Sequence, residues 1–309
     1  MHGFRRGRWL TLLLGALGPG LAAAAEPDVF DSARHSARAT AEWLARGVDS
    51  WFGGKPFDEG GEVRDGRLSL ALLKPAHEKA ELNLRFNARF RLPNLQESAY
   101  VYIGRDNPQE LVQDQPGALT RRQRGLRDDD KDDAFFAGLG LALREAVDLR
   151  VGVRGGIKPY LQARYRAPWQ VGERGRMEFR QTLFWTVDDH IGSTTALAYE
   201  RSLSPRLALR WLTAATVTQE SRRLDWTSSV ATFRDFGAQR LLTLEAIVAG
   251  AQHTGVALTE YGLQTRWEQP LGRDWLVGEV SVGHFWRREQ ASVPRDGAWA
   301  AGAALKIAF

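Results

Sequence analysis

The stretch that decides the fold is Trp299-Ala-Ala-Gly-Ala-Ala-Leu-Lys-Ile-Ala-Phe309. Its odd positions, Trp299, Ala301, Ala303, Leu305, Ile307 and Phe309, are all apolar, while the even positions include Gly302 and Lys306. Side chains of a strand alternate between its two faces, so a period of two marks a strand with one apolar face and one face that accepts a lysine. The same alternation is clearest at residues 81–92. Leu82, Leu84, Phe86, Ala88, Phe90 and Leu92 fall on one side, and Glu81, Asn83, Arg85, Asn87, Arg89 and Arg91 on the other. A half-buried strand in a soluble protein has no need of three arginines on its polar face. A water-filled lumen accommodates them.

An alternating strand that ends on an aromatic resembles the closing strand of bacterial outer-membrane β-barrels. The resemblance implies that Phe309, with Ile307 and Leu305, is read as an assembly signal, and that the barrel-assembly machinery and periplasmic chaperones are partners during biogenesis. It also implies a location in the outer membrane, among its lipids and lipopolysaccharide.

The N-terminal region fits export. Arg5, Arg6 and Arg8 precede an apolar run that is broken at Gly18-Pro19-Gly20 and ends in alanines up to Ala25. This pattern predicts a signal peptide over residues 1–25, cleaved before Glu26. Loss of those three arginines lowers the net charge from +5 to +2, so the basic composition points to no nucleic-acid partner. The chain has no cysteine, which excludes disulfides, thiolate metal sites and a lipoprotein anchor. The pattern calls for no cofactor and no metal.

Residues 26–63 form a separate periplasmic segment in this reading. Phe30, Ala33, Ala37, Ala41, Leu44, Val48 and Trp51 recur at helical spacing, which predicts an amphipathic helix over 29–52 that packs on the rim, caps the barrel or docks a partner. The barrel itself is expected over 64–309. Strands are predicted at 66–74, 81–92, 99–104, 134–145, 147–156, 159–167, 175–187, 192–202, 206–217, 223–234, 239–250, 255–268, 274–287 and 298–309. The fold class is therefore all-β, a transmembrane antiparallel up-and-down barrel of fourteen strands, or twelve if the weak first strand is lost and the ambiguous 223–234 is discounted. Periplasmic turns are expected at 146–147, 202–205 and 269–272. Trp185, Trp286 and Trp299 then lie toward outer strand ends and Trp267 toward the periplasm, as two aromatic girdles require.

The longest interruption, 105–133, carries the basic run 121–124 and the acidic run 128–133. It reads as a solvated external loop; a divalent-cation site bridging to lipopolysaccharide phosphates is the sharper alternative, without the spacing of an EF-hand.

Projection of the polar faces inward gives the charged residues expected to line the lumen: Arg85, Arg89, Arg91, Arg150, Arg154, Arg164, Arg176, Arg180 and Lys306, with Glu178, Glu260 and Glu279. A surplus of fixed cations favours anions in a pore, whereas paired charges would rigidify a narrow barrel instead. The expected function is a passive channel for small, possibly anionic, solutes. A closed barrel with a structural or envelope-assembly role is the alternative, and an envelope lipid hydrolase the third. For hydrolysis the candidate pairs are His190 with Ser193, His253 with Thr254, and His284 with Ser281, none with an evident acid partner.

Overall fold

The computed structural model describes residues 62–75, 79–91, 98–119, 134–288 and 290–309, with a few helical residues between Asp31 and Glu42. The expected signal peptide, most of segment 26–63 and both charge runs of the long connection lie outside the described residues.

Fourteen strands alternate in direction: β1 (Glu62–Pro75), β2 (Glu81–Arg91), β3 (Ala99–Asp106), β4 (Ala134–Arg144), β5 (Val147–Arg154), β6 (Lys158–Val171) and β7 (Gly175–Thr186), then β8 (His190–Ser204), β9 (Leu207–Thr218), β10 (Leu224–Asp235), β11 (Leu241–Ala251), β12 (Leu258–Arg273), β13 (Leu276–Arg287) and β14 (Asp296–Ala308). Each pairs with its sequence neighbours, and β1 pairs with β14 to close a barrel. The weak first strand is real: Leu70 is paired with Leu305 on one side and Leu84 on the other. Twelve strands are thereby excluded. Closure removes both sheet edges, which is what lets a sheet sit in hydrocarbon without orphaned backbone groups.

The alternation maps onto the two surfaces of the wall. Leu82, at 69 % exposure, and Leu161, Leu183 and Leu263, each above half, face outward as a lipid-contacting surface does. Between them the inner face carries Tyr160 and Phe184, which are fully or nearly fully buried.

Two of the expected turns lie close to their predicted places, at 145–146 and 205–206, and the third is displaced. The β12–β13 connection lies at Asp274 and Trp275 rather than 269–272, because β12 runs on past Pro270. Proline has no N–H for the ladder, yet it is tolerated here beside a register shift between Pro270 and Arg273, with Gly272 at φ +76.

The periplasmic end is tied together around the last residues. Phe309 stacks on Phe86 with ring centroids 6.0 Å apart, and its N–H donates to the Gly66 carbonyl at 3.1 Å. A Cβ on Gly66 would sit 2.4 Å from the Phe309 ring, so only glycine fits beneath it. Two of the N-terminal helical residues reach this rim. Arg34 donates through Nε to the Ala308 carbonyl at 3.2 Å and lies 4.8 Å over the Trp275 ring, while Asp31 pairs with Arg273 at 2.5 Å.

Candidate functional site

The connection between β3 and β4 sets the shape of the lumen. In place of the solvated external loop expected over 105–133, its described part, residues 107–119, folds inward and packs on the barrel wall. The local sequence explains how it begins. Asn107 caps α1 (Pro108–Leu111): its Oδ1 accepts from the Gln109 N–H at 2.9 Å, and Pro108 occupies the first helical position, where no N–H is needed.

Apolar burial then drives the segment onto the wall. Leu111 and Val112 pack with Tyr100, Tyr102, Phe136, Tyr160 and Phe184, and Leu119 packs with Ala196, Leu212 and Ala214. Each such side chain contributes about 1.5–3 kcal/mol when removed from water. Inner-face glycines make room for the supporting rings. A Cβ on Gly140 would fall 2.1 Å from Tyr100 Cζ, and one on Gly138 2.4 Å from Tyr102 Oη.

Polar anchors fix the register of the segment. Gln162 Nε2 donates to the carbonyls of Leu111 at 3.0 Å and Val112 at 2.7 Å. Gln115 Nε2 donates to Thr216 Oγ1 at 3.1 Å. Asp114 is buried and in the left-handed region at φ 54, and its carboxylate accepts from Arg164 Nη1 at 3.2 Å and Thr182 Oγ1 at 2.9 Å. Beneath these, Tyr100 donates to Asp148 at 2.6 Å, Arg150 Nε donates to both Tyr100 and Asp148 at 2.9 Å, and Tyr102 and Tyr160 share a hydrogen bond of 2.7 Å.

The charged residues singled out in the sequence all occupy inward-facing positions, but their environments differ. Arg150, Arg164 and Arg180 are held under the inward segment. Arg89 lies 4.5 Å over the Tyr100 ring. Arg85 sits between Asp106 at 3.7 Å and Glu110 at 3.6 Å, both from the end of β3 and α1. Arg154 reaches the outer turn, 3.1 Å from Asp188. Arg91 is opposite Glu62, and Glu260 is buried opposite Arg287. Arg176, exposed at the periplasmic mouth, is 3.7 Å from Glu178. Lys306 lies 2.7 Å from Glu268 and 2.5 Å from Glu279, with Arg266 within 4 Å of both carboxylates and of Glu245. Arg85, Arg150, Arg154, Arg164 and Arg180 are thus partnered by aspartates and a segment glutamate, whereas Arg176 pairs with the strand glutamate Glu178. The reason is proximity: Glu260 and Glu279 sit on β12 and β13, while the inward segment that supplies Glu110 and Asp114 packs on β3 to β9.

Among the described residues, the segment leaves a cavity on the other side of the barrel. This cavity of about 740 Å³ is bounded by β1, β2, the end of β3, β9 to β14 and the segment's edge at Gly117 and Ala118. Its cations are Arg67, Arg85, Arg210, Arg266 and Lys306, and its carboxylates are Glu81, Asp106, Glu268, Asp274 and Glu279. Arg210 lies 4.8 Å over the Phe233 ring, and neither it nor Arg67 has a carboxylate within 4 Å among the described residues.

The hydrolase pairs are not assembled. Residues an odd number of positions apart in a strand face opposite sides. That places Ser281 in the lumen and His284 on the lipid face, and it likewise separates His190 from Ser193. Thr254 donates to the carbonyls of Ala251 and Val256, which holds it in its own turn. Among the girdle residues, Trp185, Trp286 and Trp299 face outward near the extracellular ends of β7, β13 and β14. Trp267 faces outward near the periplasmic end of β12, 5.4 Å from Phe236.

Sequence reasoning missed Asp114, Gln162 and the tyrosine layer. Their signal is present in two places: the apolar Leu111-Val112 and Ala118-Leu119 inside a polar stretch, and glycines and alanines on the strand faces opposite.

No family model matches the sequence, and no curated protein matches it. Solved structures similar to it are outer-membrane barrels. The outer membrane channel DcaP of Acinetobacter baumannii is 11% identical, with a TM-score of 0.47, over 83% of this chain and 99% of that one. OmpT, an outer membrane protein of Vibrio cholerae, is 10% identical with a TM-score of 0.42, over 81% and 98%. The KdgM porin, solved with disordered oligogalacturonate, is 6% identical with a TM-score of 0.38, over 79% and 99%. The likeness concerns architecture: a closed antiparallel barrel with a lipid-facing exterior.

Proposed function

We propose that the protein is a passive outer-membrane channel for small hydrophilic solutes, which cross on the β10–β2 side of the lumen. The observation that carries this reading is the charged cavity of about 740 Å³ left beside the inward segment. A purely structural barrel has no use for a polar, charge-lined space of this size; filling it with apolar side chains would be more stable. Cations and carboxylates balance in number along its lining, so the anion preference is modest and rests on Arg67 and Arg210, neither of which forms an ion pair within 4 Å among the described residues, although Glu200 stands opposite Arg210 on β8. Export through a cleaved signal peptide over residues 1–25 belongs to the same proposal, supported by the basic start, the short apolar run and the alanines before Glu26.

Conductance of the purified, folded protein in a planar bilayer tests the channel. Discrete steps that scale with salt concentration are expected. A folded barrel that inserts and carries no current would overturn the reading in favour of a closed structural barrel.

A further inference from the structure

The outer ends of β12, β13 and β14 carry a continuous strip of side chains on the lipid face. Arg295 Cζ lies 5.0 Å over the Tyr261 ring, Tyr261 stacks on Trp286 at 5.2 Å, Trp286 lies 4.3 Å from His284, and His284 lies 4.7 Å from Trp299. His284 and Trp299 are direct cross-strand partners, and Gly297 keeps the space above them clear, since a Cβ there would fall 3.0 Å from His284 Cε1.

Two groups in this strip lack what they chemically need. His284 Nδ1 is buried with no hydrogen-bond partner among the described residues. Nε2 is therefore the ring nitrogen left to donate to a ligand. Arg295 is pinned by three carbonyls, those of Leu258 at 2.7 Å, Trp286 at 3.2 Å and Thr259 at 3.3 Å, and has no carboxylate within 4 Å among the described residues. The fold has immobilised a cation at the rim and placed an imidazole in the same strip, with the Trp286 and Tyr261 rings between them. Phenylalanine or leucine would fill position 284 at no polar cost.

We propose that this strip binds the phosphorylated headgroup of lipid A in the outer leaflet, with His284 as hydrogen-bond donor to a phosphate oxygen and Arg295 as the fixed positive charge. The site rests on the outer-membrane location and not on channel activity. Its indole faces pack along the sugar and upper acyl region, which is the amphipathic surroundings that tryptophan prefers. Lipid A is favoured over a phospholipid because the strip lies at the extracellular ends of its strands and joins a guanidinium and an imidazole, two donors for a headgroup rich in phosphate.

The test uses the purified full chain in detergent, with bisphosphorylated lipid A and its dephosphorylated form as probes, read by native mass spectrometry and by tryptophan fluorescence. Heat-modifiable gel migration confirms that each variant is folded. Wild type is expected to retain the bisphosphorylated probe, and His284→Phe to bind it roughly tenfold more weakly or worse, as loss of a hydrogen bond to a charged group gives. The dephosphorylated probe should not distinguish the two. Trp185→Phe, on the far girdle, should bind like wild type. Equal affinity of wild type and His284→Phe for the bisphosphorylated probe would overturn the site, as would equal affinity of wild type for both probes. Recovery of the protein outside the outer-membrane fraction would instead remove the location on which the site depends, whatever the binding in detergent.

Discussion

Arg180 holds Asp114 at two points: its Nε lies 3.0 Å from the carboxylate Oδ2, and its Nη2 donates to the main-chain carbonyl of the same residue at 3.0 Å. With Arg164 and Thr182 on that carboxylate as well, one aspartate from a connecting segment pairs with arginines of β6 and β7, Asp148 supplying a second carboxylate to Arg164, and fixes the segment's position. Both arginines are largely buried, so their charge is committed to architecture and not to solutes.

Asp114→Ala is expected to strand the buried Arg180 guanidinium and to leave Arg164 with Asp148 alone, at a cost of about 3–5 kcal/mol. The released segment should widen the lumen. Thermal unfolding and single-channel recording read the two effects together: an earlier melt with a larger, noisier conductance. An unchanged melt would mean that Leu111, Val112 and Leu119 hold the segment unaided.

Arg210→Ala is expected to move the reversal potential toward cations while costing only about 1 kcal/mol, the scale of its contact with Phe233. The shift should fade between 0.1 M and 1 M salt, as the screening length falls from about 10 Å to about 3 Å. Arg164→Ala should do the reverse, destabilising the barrel with little change in selectivity. If the two variants shift selectivity equally, the division of the lumen into a packed and an open side is wrong.

Deletion of Phe309 is expected to lower the yield of folded barrel, since it removes the stack on Phe86 and the hydrogen bond to Gly66. Gly66→Val should reproduce part of the defect with the terminal residue intact, because the new side chain collides with that ring. Comparing heat-modifiable protein in membranes of the two variants separates packing from recognition of the chain end. Deletion without any loss would count against both.

At the extracellular turn, the Lys158 ammonium donates to both oxygens of Asp188 and holds that carboxyl below its ordinary value of 3.8. A depressed folded pKa stabilises the fold above the unfolded value and loses that contribution as pH falls through the folded one. Asp188→Asn should therefore melt slightly earlier at neutral pH, by no more than about 1 kcal/mol for so exposed a pair. The difference should fade as pH falls below 3.8 toward the lower folded value, and a melting series descending from pH 7 checks the sign.

The strands were legible because a membrane barrel applies one rule to every residue of its wall: lipid outside, lumen inside. Leu82 and Arg85 obey it as plainly in sequence as in space, and even the weak strand with Leu70 does. Asp114 follows no such rule. Its role depends on Arg164, Arg180 and Thr182, which are dozens of residues away and on two strands, and its own neighbours are polar enough to pass for a solvated loop. The β12–β13 turn was obscured for a simpler reason: Pro270 looks like a turn residue until a register shift beside it makes room for it in a strand.

The inward segment also makes the wall mechanically uneven. From β3 to β9 the sheet is backed by packed rings and aliphatic side chains, so bending it inward must compress a solid. From β10 round to β2 it is backed in large part by the solvent-accessible cavity, and resistance comes mainly from the sheet's own hydrogen bonds and the ion pairs around Lys306. Thermal undulation of the barrel should therefore concentrate on one side, with amides of β11 to β13 exchanging their hydrogens ahead of those in β5 to β8, although both sets are equally paired.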